Sequence, residues 1–423
     1  MFAKSFQRCR KLVAPSQPRT EITTHAASAF SPEISRIESI DIFRGLTVLV
    51  MIFVDNLGFV NGLPWWTNHM PRDANGMTYV DMVFPAFLFL MGMSIPVAMR
   101  SRAAKGGSKS SLWANSVVRS MTLVVLGLFV ANAPQVDARL TRISTTWWTI
   151  LGFVAIGLVL YRYPNGHGRG TLYRILKYSG LALLVWLAVI FRTTTPAGQT
   201  AWLDFSDWEI LGLLGWAYLS TSVIYLLFQK RTAVLASALA VLIAINVASV
   251  GGWLSWLNSL PLFLKPFEAG LSSIAMAGLL VSLFLVDNSI ASTFRAKAGW
   301  TTSCAAIFFG TGWALRPFGI SKLRDTPTWC LYSAAANTLI VLLLYWIADV
   351  KHLSRWARFT KPVGTNPLLS YFLPYVAYFV PKLERLTAGG TAGWPGILKS
   401  MFFTGLILVI VTVLGRANIK LRL

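Results

Sequence analysis

Acidic side chains are scarce in this sequence. Only 16 Asp and Glu stand against 38 Lys and Arg, and charged residues of both signs make up 13% of the 423. With 55% hydrophobic residues and a mean hydropathy of +0.58, a soluble protein of this length is excluded. Cysteine is nearly missing as well: Cys9, Cys304 and Cys330 are too few and too scattered for a disulfide framework or a thiolate metal site. No alternation in segments of about ten residues runs through the chain, which argues against a membrane β-barrel. No repeat of a solenoid's length stands out, and no loop is long enough for a soluble domain.

Familiar chemical signatures are also lacking. Lys105-Gly-Gly-Ser-Lys-Ser110 has no Gly-Lys step, so it is not a Walker A loop, and there is no H-E-x-x-H. Asn165-Gly-His-Gly-Arg-Gly170 is a flexible turn rather than a dinucleotide loop, because no strand precedes it. A primary pump has no support, and no metal site is expected.

What the chain does have is apolar runs long enough to cross a bilayer, about 20 residues each. About twelve are expected, near 40–59, 79–99, 113–133, 144–161, 174–192, 208–228, 232–250, 267–286, 299–315, 329–348, 365–381 and 399–415. The fold class is therefore all-α, a polytopic transmembrane helical bundle over 37–423. The sixth and seventh runs are joined only by Gln229-Lys-Arg231, and Asn366, Pro367 and Pro374 interrupt the eleventh.

The net charge of +22 invites a nucleic-acid reading, but its placement excludes one. Basic residues gather in alternate loops, for example Arg100, Arg102, Lys105 and Lys109, then Arg162, Arg169, Arg174 and Lys177, then Lys351, Arg355, Arg358 and Lys361. That is the positive-inside pattern, which makes these loops cytosolic. An even number of spans with basic ends puts both termini there too. Residues 1–36 read as a flexible basic cytosolic tail; an organelle targeting segment is the alternative, because the first fifteen residues are basic and acid-free.

The opposite side receives the loop Trp65-Trp-Thr-Asn-His-Met-Pro-Arg-Asp-Ala-Asn-Gly-Met-Thr78, and polar residues crowd around it. Asp41, Val48 and Asp55 are spaced at sevens on nearly one face of the first helix, with Arg44 one turn from Asp41. Asp41 and Arg44 read either as an interfacial i,i+3 pair or as ligand contacts. Asp55 and Asn56 lie near the outer end of an apolar helix, where polar groups usually face a cavity. His69 alone among four histidines belongs to the outer polar cluster, and imidazole suits proton transfer at neutral pH. Asp81 opens the second helix. Pro85, four residues on, cannot donate to its carbonyl, which leaves an acceptor free beside a carboxylate. Thr78 is expected to cap there. Arg316, Lys322 and Arg324 form an outer basic group that breaks the charge rule: either a loop against lipid headgroups or a contact for an anionic substrate. Asn337 and Asn366 are expected to face the interior.

Ser39-Ile-Asp-Ile-Phe-Arg-Gly45, His69-Met-Pro and Asn75-Gly-Met-Thr-Tyr-Val-Asp-Met-Val-Phe-Pro85 form a distinctive combination. It resembles the catalytic region of the heparan-α-glucosaminide N-acetyltransferase family, specifically its bacterial members. Weaker likeness continues through Leu211–Tyr218, Glu268–Ile274, Ile320-Ser-Lys322, Thr328-Trp329 and Asn366–Ser370, so it spans most of the chain from residue 36, although only the first stretch is specific. The resemblance implies a membrane enzyme that takes acetyl from cytosolic acetyl-CoA and delivers it to an amino sugar or envelope glycan at the outer face. It places His69 on the family's catalytic histidine. The family's asparagine near the end of the preceding helix falls on Asp55, a departure, since an ionised carboxylate cannot donate a hydrogen bond. The lumenal N-terminal domain of lysosomal members has no counterpart here, and the fourth and fifth runs look like an added pair. Both features bear on the acceptor, because heparan sulfate is not an expected bacterial substrate.

The resulting expectation is an acyltransferase with His69, Asp55, Asn56 and Asp81 in catalysis. Arg44 and Asp41 would serve acetyl-CoA, and Trp66, Asn75, Arg316 and Lys322 the acceptor. His69 would accept the acceptor's proton or carry the acetyl group itself. The expected location is a bacterial inner membrane, with the lipid bilayer and the glycan acceptor as partners, a homodimer as the assembled form, and no nucleic acid. The rival class is a secondary transporter of a sugar or envelope precursor, which also shows about twelve spans and broken helices. A catalytically silent scaffold is the third.

Overall fold

The computed structural model describes residues 37–164, 169–205, 208–229, 231–256, 269–287, 290–379, 383–387 and 389–421. The basic tail 1–36, His167 with the Asn165–Gly168 part of its turn, Lys230 and Glu268 lie outside the described residues.

Each apolar run became a helix: α1 (Glu38–Leu57), α2 (Val83–Ala104), α3 (Lys109–Asn132), α4 (Thr145–Leu160), α5 (Gly170–Ile190) and α6 (Glu209–Phe228). They continue as α7 (Thr232–Val250), α8 (Ala269–Val286), α9 (Phe294–Ala314), α10 (Pro327–Tyr345), α11 (Pro367–Phe379) and α12 (Gly393–Arg416). Among the described residues, eight helices are long and apolar enough to cross a membrane. The other four fall short for visible reasons. α1 carries Glu38, Asp41, Arg44 and Asp55; α4 has 16 residues; Arg295 and Lys297 begin α9; and α11, opened by Pro367, has 13. Strand structure among the described residues is one two-residue hairpin, Thr193–Thr194 with Thr200–Ala201. The protein is an all-α polytopic bundle.

α8 is the axis. It is buried from Ala269 to Leu283 without a break, and its small residues let neighbouring backbones close in. A Cβ added to Gly92 of α2 would run into the Ala275 carbonyl oxygen, and one on Gly278 into that of Phe89. α3 meets α6 the same way: Gly127 lies against Gly212, and Ser120 Oγ donates to the Gly215 carbonyl at 2.7 Å. By contrast α5, α7 and α12 present Val185, Trp186, Val241, Phe402 and Val409 outward, as lipid-facing helices should.

α1 is held at both ends by distant chain. Its first turn has no side-chain cap of its own. Asp349 supplies one, accepting from the backbone N–H of Glu38 at 2.9 Å and of Ser39 at 3.0 Å. At the other end Asn61 bonds Thr391 and Gly393 through the backbone. Asn337 and Asn366 are both buried, as expected; Asn366 pins the C-terminal segment through the Ile419 carbonyl and the Leu421 N–H.

The glycine contacts give a stability test. Gly92→Leu must force α2 off α8, costing about 1–3 kcal/mol or more. It should lower the unfolding temperature of the detergent-solubilised protein well beyond any effect of Gly299→Ala, where nothing lies nearby.

Candidate functional site

Asp81 is the fixed point of the loops around His69. Its side chain is 1% exposed, and its Oδ1 lies 2.7 Å from His69 Nδ1. Oδ2 accepts from the Thr78 N–H at 3.0 Å, the Met70 N–H at 3.3 Å and the Thr78 hydroxyl at 3.3 Å. A carboxylate three residues into a helix that reaches back to the N–H before it is half of a capping box, so local helix-start chemistry explains its position. Thr78 thus contributes as a donor to Asp81, and its hydroxyl also bonds the Asn68 carbonyl at 2.9 Å. The Asp81 carbonyl that Pro85 cannot reach is taken by Trp329 Nε1 at 3.3 Å, from the fully buried start of α10.

Because Asp81 only accepts, His69 Nδ1 must carry the proton, which leaves Nε2 with its lone pair. That tautomer follows from the neighbours. Lys322 Nζ sits 3.4 Å from Nε2, and an ammonium can only donate, so both contacts agree. Lys322 reaches His69 from 253 residues away because the two loops are sewn together. Asn75 Oδ1 accepts the Ile320 N–H at 2.8 Å, the Gly76 N–H donates to the Ile320 carbonyl at 2.9 Å, and Ser321 Oγ donates to the Arg72 carbonyl at 3.1 Å. Burial pulls the half-buried Lys322 ammonium below the ordinary lysine value, while the carboxylates of Asp81, Asp55, Asp325 and Glu209 push the other way.

His69, Asp55 and Lys322 share a narrow cleft of about 30 Å³, enough for a water or two. The imidazole itself is 47% exposed. Met51, Phe87 and Ile210 wall this cleft and also wall a larger cavity of about 320 Å³ between α1, α2, α3, α6 and α11. Arg44 and Arg119 supply the two cations on that cavity's wall. Arg44 donates to Ser94 Oγ at 2.9 Å and to Asp41 at 3.3 Å; the Arg119 guanidinium lies 4.9 Å from the Tyr218 ring centre. The arrangement therefore runs from an imidazole–carboxylate pair, past an apolar neck, to two guanidinium groups.

Not every expected site residue lies there. Asn56 turns away from the cleft, and its Oδ1 accepts from Ser400 on α12 at 3.2 Å. Trp66 is exposed and packs on Tyr79. Arg316 stacks over Trp313 at 4.3 Å. Asn75 fastens the two loops. Asp41 sits behind Arg44, outside the cavity wall.

Two groups escaped the sequence reading. Arg119 could have been found as a lone charge well inside the apolar run 113–133. Glu209 starts α6 with a left-handed φ of 50°. Its carboxylate accepts from Tyr371 at 2.6 Å and from Tyr375 at 3.1 Å. The tyrosines are one turn apart on α11, a spacing hidden in an aromatic-rich run.

Residues 36–260, more than half of the chain, match a family model described as "Domain of unknown function (DUF5009)". The chain belongs to that DUF5009 family. It is also similar to curated relatives named heparan-alpha-glucosaminide N-acetyltransferase: 39% identity to the Mus musculus protein over 98 residues, 23% of this chain and 14% of the relative. Identity to the Homo sapiens protein is 38% over 109 residues, 26% of this chain and 15% of the relative. The match thus spans about one-seventh of the length of these relatives.

The Asp81 carboxylate gives a structural test. Asp81→Ala would strip partners from the Met70 and Thr78 N–H groups, each worth about 1–3 kcal/mol when buried and unsatisfied. Expected is a lowered unfolding temperature with faster hydrogen exchange at residues 69–79, whereas Asp73→Ala should leave both unchanged.

Proposed function

We propose that this protein is a membrane acetyltransferase that takes acetyl from acetyl-CoA in the cytosol and transfers it to an amino sugar or glycan amine or hydroxyl at the outer face. The observation that carries the reading is the His69–Asp81 pair, at a cleft sharing a wall with the Arg44–Arg119 cavity. The likeness to N-acetyltransferases supports the same chemistry.

Acetyl-CoA suits the cavity by its parts. The pantetheine arm is long, thin and weakly polar, matching a mostly apolar space of about 320 Å³. The phosphates are anionic, matching Arg44 and Arg119. The thioester would then arrive at the neck near His69. Nε2 takes the proton of the acceptor as its nitrogen or oxygen attacks, and Asp81 stabilises the imidazolium that forms. Asp55, on the same cleft, orients the acceptor. Direct transfer needs no acetyl-histidine, so single-turnover labelling without acceptor should leave the protein unlabelled.

Membranes carrying the protein, given labelled acetyl-CoA and glucosamine, should produce N-acetylglucosamine, and His69→Ala should lower the rate at least about a hundredfold. Glucosamine accumulation that survives His69→Ala, with no acetyl transferred, would establish a transporter instead. Arg119→Gln should raise the KM for acetyl-CoA about tenfold, the loss of one phosphate contact of about 1.4 kcal/mol, and leave the acceptor KM alone. Equal KM values in the two proteins would remove Arg119 from the donor site.

A further inference from the structure

A thioester carbonyl becomes an oxyanion when it is attacked, and some donor must meet that charge. The cleft beside His69 offers few candidates. Its polar side chains, among the described residues, are Asp55, His69 and Lys322. Asp55 as a carboxylate accepts only, and would repel an oxyanion. His69 commits Nδ1 to Asp81 and needs Nε2 for the acceptor's proton. The loop N–H groups of Met70 and Thr78 already point to Asp81. Lys322 is left. Its ammonium reaches the cleft on a segment anchored to the His69 loop at Asn75, Gly76 and Arg72, so its approach is built in. The contact to Nε2 is long at 3.4 Å, a weak hydrogen bond that a developing negative charge would outbid.

We propose that Lys322 is a catalytic residue, the cation that stabilises the tetrahedral oxyanion during acetyl transfer. The assignment rests on the acetyltransferase reading above and gives Lys322 a role in the reaction step in place of acceptor binding. In the transfer the acceptor's lone pair forms a bond to the carbonyl carbon, and the π pair moves onto oxygen beside the Lys322 ammonium. His69 Nε2 takes the proton from the acceptor. The oxyanion then re-forms the carbonyl, the C–S bond breaks with its pair on sulfur, and the thiolate takes the proton back from Nε2. Lys322 keeps its own protons throughout, so charge and atoms balance without a further reagent.

Two features follow. Lys322 must leave Nε2 as the donor arrives, so the contact marks the state without substrate. The ammonium must also stay charged. It is faced by Asp81, Asp55, Asp325, Glu209 and His69; loss of water on burial lowers its titration point, and the carboxylates offset only part of that. Activity should therefore fall at alkaline pH as Lys322 loses its proton, earlier than for an exposed lysine.

The test is steady-state acetyl transfer from acetyl-CoA to glucosamine by the full chain in lipid nanodiscs, comparing the unmodified protein with Lys322→Met and Lys322→Arg. Expected for Lys322→Met is a kcat lower by about 10²–10³, the usual effect of losing one oxyanion donor, with both KM values within about threefold. Lys322→Arg should recover at least about tenfold of that loss and move the alkaline limb upward, since guanidinium does not deprotonate. A Lys322→Met enzyme as fast as the unmodified one, or faster, overturns the assignment and makes the His69 contact merely a resting-state block. A raised acceptor KM with unchanged kcat overturns it in favour of acceptor binding. Should Lys322→Met not fold, an unmoved alkaline limb in the folded Lys322→Arg enzyme overturns it equally. Absence of any acetyl transfer, or any acetyl-CoA hydrolysis, by the unmodified protein would instead refute the acetyltransferase reading.

Discussion

One buried carboxylate organises the His69 end of this bundle. Asp81 sits where a helix begins, and it gathers a loop, an imidazole and, through its own carbonyl, a tryptophan from the other end of the sequence. Burying a charge is expensive unless it is met by donors, and here the His69 ring, two backbone N–H groups and the Thr78 hydroxyl meet it. The same bonds that make the carboxylate tolerable also fix the histidine's tautomer. Structural necessity and chemical readiness are one arrangement.

That arrangement extends by mechanical linkage. Lys322 has no local reason to approach His69, since it lies on the short connection between α9 and α10. It is brought there by three hydrogen bonds from the neighbouring loop, none of them to the lysine itself. Asn75 is the clearest case of a polar loop residue whose work is to place another residue. Deeper in, the glycine-lined contact of α2 with α8 holds the helix that follows directly on Asp81, so the close packing of backbones fixes the wall on which the site rests.

Much of this was legible beforehand, and unevenly. Helix positions follow from runs of apolar residues, and eight of the twelve described helices have the length and apolarity that crossing a bilayer needs. His69 and Asp81 could each be singled out because both lie within one short polar stretch; the 2.7 Å contact between them is the structure's addition. Lys322 stood out only as an outer cation that broke a charge rule; its partner, hundreds of residues away, could not be read from spacing. Asn56 shares a helix end with Asp55 but bonds Ser400 on α12, because one step along a helix turns a side chain by about a quarter of a turn and more. Trp66 and Arg316, expected to serve the acceptor, each pack on a neighbouring ring. Glu209 escaped notice because its partners are tyrosines, whose spacing in α11 looked like ordinary lipid-facing bulk.

The cap that Asp349 places on the first turn of α1 has a consequence for biosynthesis. Helix α1 is made early, but the group that satisfies its leading amides is encoded more than three hundred residues later. During synthesis those amides must be met by water or lipid headgroups until α10 and the turn after it have been made. Helix α1 is therefore finished near the end of translation, so a truncated chain that stops before α10 leaves an incomplete beginning as well as a missing end.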